Sequence, residues 1–177
     1  MDQLIVVEGT GDEALLTRLS RHLGLKSKVV IGQGASSAVA MARSHLSMGV
    51  PRLILVLDAD CEREQEVEER RRSVEAALAY AAPKDRWKLV LLVPDLERAL
   101  LSVTEVAHFL LRKPLEHRAL RKLQATASLS KEAVALDRIE NLRRLREKLP
   151  RSAAQAFLDS NPKLRDALQP SLVATAA

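Results

Sequence analysis

Carboxylates stand directly behind short apolar runs at two places in this chain, a position that surface decoration does not easily explain. Glu8 follows Leu4-Ile5-Val6-Val7, with Asp12 four residues on in Glu8-Gly9-Thr10-Gly11-Asp12. Asp58-Ala59-Asp60 follows Leu53-Ile54-Leu55-Val56-Leu57. A third apolar run, Leu89–Val93, is followed by Pro94-Asp95-Leu96-Glu97. Several carboxylates within a few ångströms repel strongly unless protonated or neutralised. A hard divalent cation is the common solution, and Mg²⁺ (or Mn²⁺) takes one or two carboxylates while keeping several waters.

Each of these residues also has a local role open to it. Thr10-Gly11-Asp12-Glu13 fits a capping box with Thr10 as N-cap and Glu13 reaching back, Asp12 being favourable beside the helix dipole. Asp60 could cap the helix that follows it, Asp95 reads as an N-cap, and Glu97 as a first-turn acid. Gly32-Gln33-Gly34-Ala35-Ser36-Ser37 opens a helix after an apolar run. It lacks the third glycine of a dinucleotide fingerprint and the GK[ST] of a P-loop, so a tight turn or a phosphate at a helix start remain its readings. His22, His45, His108 and His117 have no metal-ligand spacing, and Cys61 reads as a small packing residue.

The elements that must position the carboxylates follow from the hydropathy pattern. Leu4–Val7, Val29–Ile31, Leu53–Leu57 and Leu89–Val93 do not alternate with polar residues, as expected of strands buried on both faces of a parallel sheet. Helical spacing fills the intervals. Residues 11–23 carry Leu15, Leu16, Leu19 and Leu23; residues 36–48 carry Val39, Ala42 and Leu46; residues 62–81 carry Val67, Val74, Ala77 and Leu78. This alternation predicts an α/β doubly wound unit. With strand order 2-1-3-4, its ligand crevice lies beyond the carboxyl ends of strands one and three, where Glu8 and Asp58 emerge. Helical patterns at 95–112, about 115–125 and 131–148 predict a core over 1–94 and an all-helical extension over 95–177 packed on it.

The chain has 177 residues, 47% of them hydrophobic, enough for a packed core, and no run approaches the length of a membrane span. A single cysteine excludes an internal disulfide, and the start Met1-Asp2-Gln3 has no basic segment before its apolar run, so a cytoplasmic protein without membrane contact is the expectation. The net charge is +5. Residues 1–60 hold six basic and six acidic side chains, so the excess (22 basic, 17 acidic) lies beyond them. Arg112, Lys113, His117, Arg118, Arg121 and Lys122, with Arg143, Arg144 and Arg146, could track a DNA or RNA backbone or form an ordinary solvated helix face. Aromatics are only 2%, which argues against a reader that stacks single-stranded bases. Glu66–Arg70 and Glu68–Arg72 read as i,i+4 pairs of an exposed helix.

The combination Glu8-Gly9 with Asp12, then Asp58-Ala59-Asp60 after another strand, resembles the Toprim domain over about residues 3–94. Val7-Glu8-Gly9 with Asp12, Gly32-Gln33-Gly34-Ala35-Ser36-Ser37 and Asp95-Leu96-Glu97 are most similar to the overcoming-lysogenization-defect (OLD) type nucleases, which pair a Toprim module with an ATPase. The resemblance implies a two-metal phosphodiester hydrolase: Glu8 and Asp12 on one cation, Asp58 and Asp60 on the other, Glu97 after strand four, and Lys131 as a catalytic lysine beside Glu8, Asp58 and Asp60. It further implies an ATPase partner and a place in phage defence. A catalytically inactive Toprim-fold regulatory or nucleic-acid-binding module is the alternative, and self-association is left open. Two departures disfavour a topoisomerase: Cys61 stands where a glycine often follows the DxD pair, and the single tyrosine, Tyr80, is late in a helix. A receiver-type domain would need an acidic pair after strand one, and a haloacid-dehalogenase-type phosphatase would carry its DxD there.

Overall fold

The computed structural model describes residues 3–169 except 115 and 137. β1 (Gln3–Val7), α1 (Thr10–His22), β2 (Ser27–Ile31), α2 (Ala35–Ser47), β3 (Leu53–Asp58), α3 (Glu64–Ala79) and β4 (Trp87–Leu92) alternate along the chain. The helices α4 (Leu96–Leu101), α5 (Thr104–Leu111), α6 (His117–Gln124), α7 (Ala127–Val134), α8 (Ile139–Lys148), α9 (Arg151–Ser160) and α10 (Pro162–Leu168) follow. The four strands form one all-parallel sheet in the order β2-β1-β3-β4. The fold is therefore α/β, with the strand order reversing between β1 and β3.

Period-two geometry divides the strand residues between two apolar layers. Ile5, Val7, Ile54, Val56, Val90 and Leu92 face Leu15, Leu16 and Leu19 of α1 and the helices after β4, with Phe157 and Leu145 fully buried among them. Leu4, Val6, Leu53, Leu55, Leu57 and Leu91 face Ala38, Ala42 and Leu46 of α2 and Leu78 of α3. Arg18 of α1 donates to the carbonyl of Leu149 at 2.8 Å, and Arg146 of α8 pairs with Glu13, so polar bonds also hold α1 against the later helices.

Two helices expected to run unbroken are each divided. Within 95–112 the Ser102 hydroxyl donates back to the Ala99 carbonyl at 2.7 Å, and Val103 turns extended (φ −103°) before α5 begins. Within 131–148 Ala135 takes a left-handed φ of +47°. The Asn141 side-chain amide donates to the Val134 and Ala135 carbonyls, satisfying acceptors that the end of α7 leaves open. Hydropathy spacing alone cannot reveal such breaks, because the apolar stripe resumes in phase after each. Val93, expected in the fourth strand, lies beyond β4 and is exposed.

The turn after β2 needs glycine at two positions for different reasons. Gly34 has φ +104°, and a Cβ on Gly32 would lie 2.4 Å from the Cα of Ala38 in α2. Backbone cannot retreat as a side-chain tip can, so Gly32→Ala is expected to cost about 2 kcal/mol or more. Urea denaturation followed by circular dichroism checks this; an unchanged midpoint refutes it. Gly32 and Gly34 donate to the carbonyls of Val7 and Glu8 at 2.8 and 3.0 Å, fastening this turn beside the end of β1. Among the described residues no helix is long and apolar enough to cross a membrane.

Candidate active-site cleft

The parallel register brings the ends of β1 and β3 side by side, Val7 opposite Val56. Glu8 leaves β1 and Asp58 ends β3, at the point where the strand order reverses. The Asp58 backbone N–H donates to Glu8 Oε1 at 2.8 Å, and the N–H of Leu96, which opens α4, donates to Asp58 Oδ1 at 2.9 Å. Two acidic side chains thus tie β1 to β3 and β3 to α4.

Asp12 completes the cluster from the first turn of α1. Gly9, not Thr10, is the N-cap of that helix, so the reciprocal bond expected of Glu13 falls one residue earlier: Gly9 N–H donates to Asp12 Oδ2 at 3.0 Å. Glu13 instead accepts from the Thr17 hydroxyl at 3.0 Å and from Arg146. Asp12 is only 5% exposed, and its Oδ1 is buried without a hydrogen-bond partner. An unpaired buried carboxylate oxygen is costly, and a proton or a cation removes the cost.

Glu8, Asp12, Asp58, Glu97 and Lys131 line one cleft of about 410 Å³, with Gly9, Gly11 and Gly34 among its backbone walls. Leu96 at the start of α4 and Leu136 in the turn between α7 and α8 close the cleft. They sit so near the first turn of α1 that a Cβ on Gly11 would meet them at 3.1 and 2.9 Å. Burial and mutual repulsion push the carboxyls up. Burial raises Asp58 to about 8, helped by the charges of Asp12, Glu8, Glu97 and Asp95. Burial raises Asp12 to about 7, against the Gly9 hydrogen bond and with help from Glu8 and Glu97. Glu8 and Glu97 are raised mainly by burial, and the Lys131 ammonium partly offsets the shift at Glu97.

Asp60 does not line this cleft. It takes a left-handed φ of +55°, donates its N–H to the Pro94 carbonyl at 2.8 Å, and turns an exposed carboxylate to Arg70 Nη2 at 3.1 Å. It does not cap α3 either, whose N-cap is Arg63. Arg70 also lies 3.7 Å from Glu8 Oε1. The expected Glu66–Arg70 pair is replaced by these contacts, Glu66 pairing with Arg63 instead, while Glu68–Arg72 forms at 3.3 Å. Arg70 is the site residue that the sequence reading missed, since on α3 it is one cation in a run of three. Asp95 caps α4 by accepting from the Arg98 backbone N–H and Nε at 2.9 and 3.0 Å. Cys61 Sγ donates to the Ala59 carbonyl.

Among the described residues no three or more His, Cys, Asp or Glu side chains form a group able to hold one metal ion. Glu8 and Asp58 each spend one oxygen on a backbone N–H, and Asp60 is held by Arg70. The donor set still fits a hard cation of the Mg²⁺ type. Such an ion needs one or two carboxylates from the protein, and Asp12 Oδ1 is a buried oxygen with nothing to bind.

None of the basic residues expected to meet nucleic acid, Arg112, Lys113, Arg118, Arg121 and Lys122, lines the carboxylate cleft. Arg112, Lys113 and Lys122 line a separate groove, Arg112 paired with Glu140. Arg118 and Arg121 are exposed on α6. Arg144 stacks on Phe109 at 4.8 Å and donates to its carbonyl, and Arg146 is committed to Glu13, so these two serve packing. No family model, no curated protein and no solved structure matches the chain.

Proposed function

We propose that the chain is a Toprim-like, divalent-metal-dependent nuclease that hydrolyses phosphodiester bonds in DNA or RNA. One observation carries this reading: Glu8, Asp12, Asp58, Glu97 and Lys131, from four separate segments, line a single cleft at the carboxyl ends of β1 and β3. A cluster of carboxyls raised by burial and mutual repulsion in a cleft is a recurrent mark of a functional site.

Asp12 and Asp58 would hold the cation, with Glu8 and Glu97 beside it. When bound, a divalent ion supplies the positive charge that lets these carboxyls ionise together, and it polarises the scissile phosphate. The protein residues do the rest. Hydrolysis joins a water oxygen to phosphorus and breaks the bond to the departing sugar oxygen, so one proton must be accepted and one returned. Glu8, less enclosed than Asp12, is placed to exchange that proton. Lys131, across from Glu97, offsets the charge that gathers on the phosphoryl oxygens. Arg118 and Arg121 on α6 would hold the substrate backbone without reading its sequence. An ATPase partner of the kind found with OLD-type nucleases, and a defence role, belong to the same proposal.

Cleavage of supercoiled plasmid and of a structured RNA with Mg²⁺ or Mn²⁺ tests the reading, with Glu8→Ala as the control. Metal-dependent cutting lost in the variant supports it; absence of both cutting and metal-induced thermal stabilisation removes its basis. A second reading, a module that binds metal without turnover, is favoured by one feature: Arg70 holds Asp60 outside the cleft. Stabilisation by metal with no cutting selects that reading.

Lys131→Met separates chemistry from folding. Lys131 is exposed, so the variant should melt close to wild type, while initial cleavage rates fall roughly 10²-fold. Unchanged rates would remove Lys131 from the site.

A further inference from the structure

A groove of about 750 Å³ between α5, α6, α7 and α8 is larger than the carboxylate cleft of about 410 Å³. Its floor is apolar, formed by Leu110, Leu123, Leu129 and Ala133. Its rim is basic: Arg112, Lys113, Lys122 and Arg138 line it, against one described lining carboxylate, Glu140, which Arg112 already neutralises. Leu129 is 37% exposed, and Ile139, between Arg138 and Glu140 at the start of α8, is 84% exposed. Single exposed apolar residues need no explanation; an apolar trough with cations along its rim does.

We propose that this groove docks an acidic amphipathic helix of a partner protein. Apolar side chains at i, i+3, i+4 and i+7 would enter the floor, and flanking Asp or Glu would meet Lys113, Lys122 and Arg138. Charge and floor together select this occupant over nucleic acid. A phosphodiester backbone would satisfy the rim but leave the leucines wet, and none of the described lining residues is an aromatic on which bases could stack. α7 forms the wall between groove and cleft: Leu129 and Ala133 line the groove, while Lys131 lines the cleft. Arg138 lines the groove and also a smaller pocket that it shares with Glu97 and Lys131. A docked helix therefore bears on the helix that carries Lys131. Docking itself does not depend on metal chemistry in the cleft, so its test needs none.

The test is fluorescence anisotropy of the full chain with a labelled peptide of about 18 residues, long enough to form a helix on the surface. It carries Leu at i, i+3, i+4 and i+7 and Glu on the flanks. The expected result is a micromolar Kd, at least about tenfold weaker for a scrambled peptide of the same composition, because both helical register and charge are needed. Lys113→Glu/Lys122→Glu and Leu129→Glu should each weaken binding about tenfold, at melting temperatures near wild type. Tyr80→Glu, on the distant end of α3, should not. No binding, or equal binding of the scrambled peptide, overturns the proposal. So does displacement of the peptide by a single-stranded oligonucleotide that binds as tightly, or self-association in sedimentation velocity that Leu129→Glu abolishes, since nucleic acid or a second copy would then own the groove.

Discussion

Asp58→Asn is expected to lower metal-dependent cleavage by roughly 10³-fold or more while raising the melting temperature of the metal-free protein at pH 8. The two effects share one cause. Asp58 ends β3 facing Asp12, Glu8 and Glu97, and burial with these neighbours raises its carboxyl to about 8. An amide keeps the shape and still accepts the Leu96 N–H, so the tie between β3 and α4 survives. It cannot ionise, so the repulsion inside the cleft is relieved. It is also a poor ligand for a hard cation and cannot balance that cation's charge, so chemistry that depends on charge placement suffers most. Residues kept for structure lose stability on substitution; residues kept for function often gain it. Initial rates with Mg²⁺ alongside thermal melts in a chelator measure both. A variant that cuts like wild type and melts lower would place Asp58 among the structural residues and leave the cleft without its proposed role.

The parts of the fold that could be read from the amino acids are those with dense local signals. Four unalternating Val, Ile and Leu runs marked the four strands. Burial on both faces holds for β1 and β3 and nearly so for β4, while β2, at the sheet edge, is only half-buried. The order 2-1-3-4, a premise of the sequence reading, is the order found, and it sets Glu8 and Asp58 side by side. Lys131 reached the cleft in the structure although nothing in its spacing required it. The illegible parts depend on backbone dihedrals and distant partners. Asp60 is two residues from Asp58, and a sequence motif treats the two alike. A left-handed φ at Asp60 and the reach of Arg70 from α3 carry its carboxylate out of the cleft. The cap of α1 moved from Thr10 to Gly9 because Asp12 is the acid that folds back, a choice between neighbours that propensity does not resolve. The breaks at Ser102–Val103 and Ala135 depend on side chains bonding to particular carbonyls. Without those breaks there is no α7 wall, and the groove cannot be foreseen at all.

The metal-free protein should lose stability as pH rises from about 5 to 8.5, the reverse of ordinary acid-sensitive behaviour. Asp58 and Asp12 are raised to about 8 and about 7 in the fold, from 3.8 in the unfolded chain. Between those limits the folded state holds protons that the unfolded state has released, so the unfolding free energy falls with rising pH. Their contribution is complete below about pH 4 and is lost as pH passes through 7 and 8. Because the two carboxyls face each other, the protons leave as a shared pair rather than as independent sites. The rise at Asp58 alone, from 3.8 to about 8, corresponds to at most about 5 to 6 kcal/mol. After structural relaxation a loss of roughly 3 kcal/mol is expected, which for a chain of this size is a fall of roughly 6–12 °C in Tm. Mg²⁺ must displace the same protons, so its stabilising effect should be small at pH 5.5 and large at pH 8.5, flattening the profile. Thermal melts at constant ionic strength, with chelator or with Mg²⁺, give both curves. The Asp12→Asn/Asp58→Asn double variant should lose the slope and the metal response together. A wild-type melting temperature that rises across this window, or a double variant that keeps the wild-type slope, would mean that the cleft carboxyls are already ionised and paired, leaving no need for a cation.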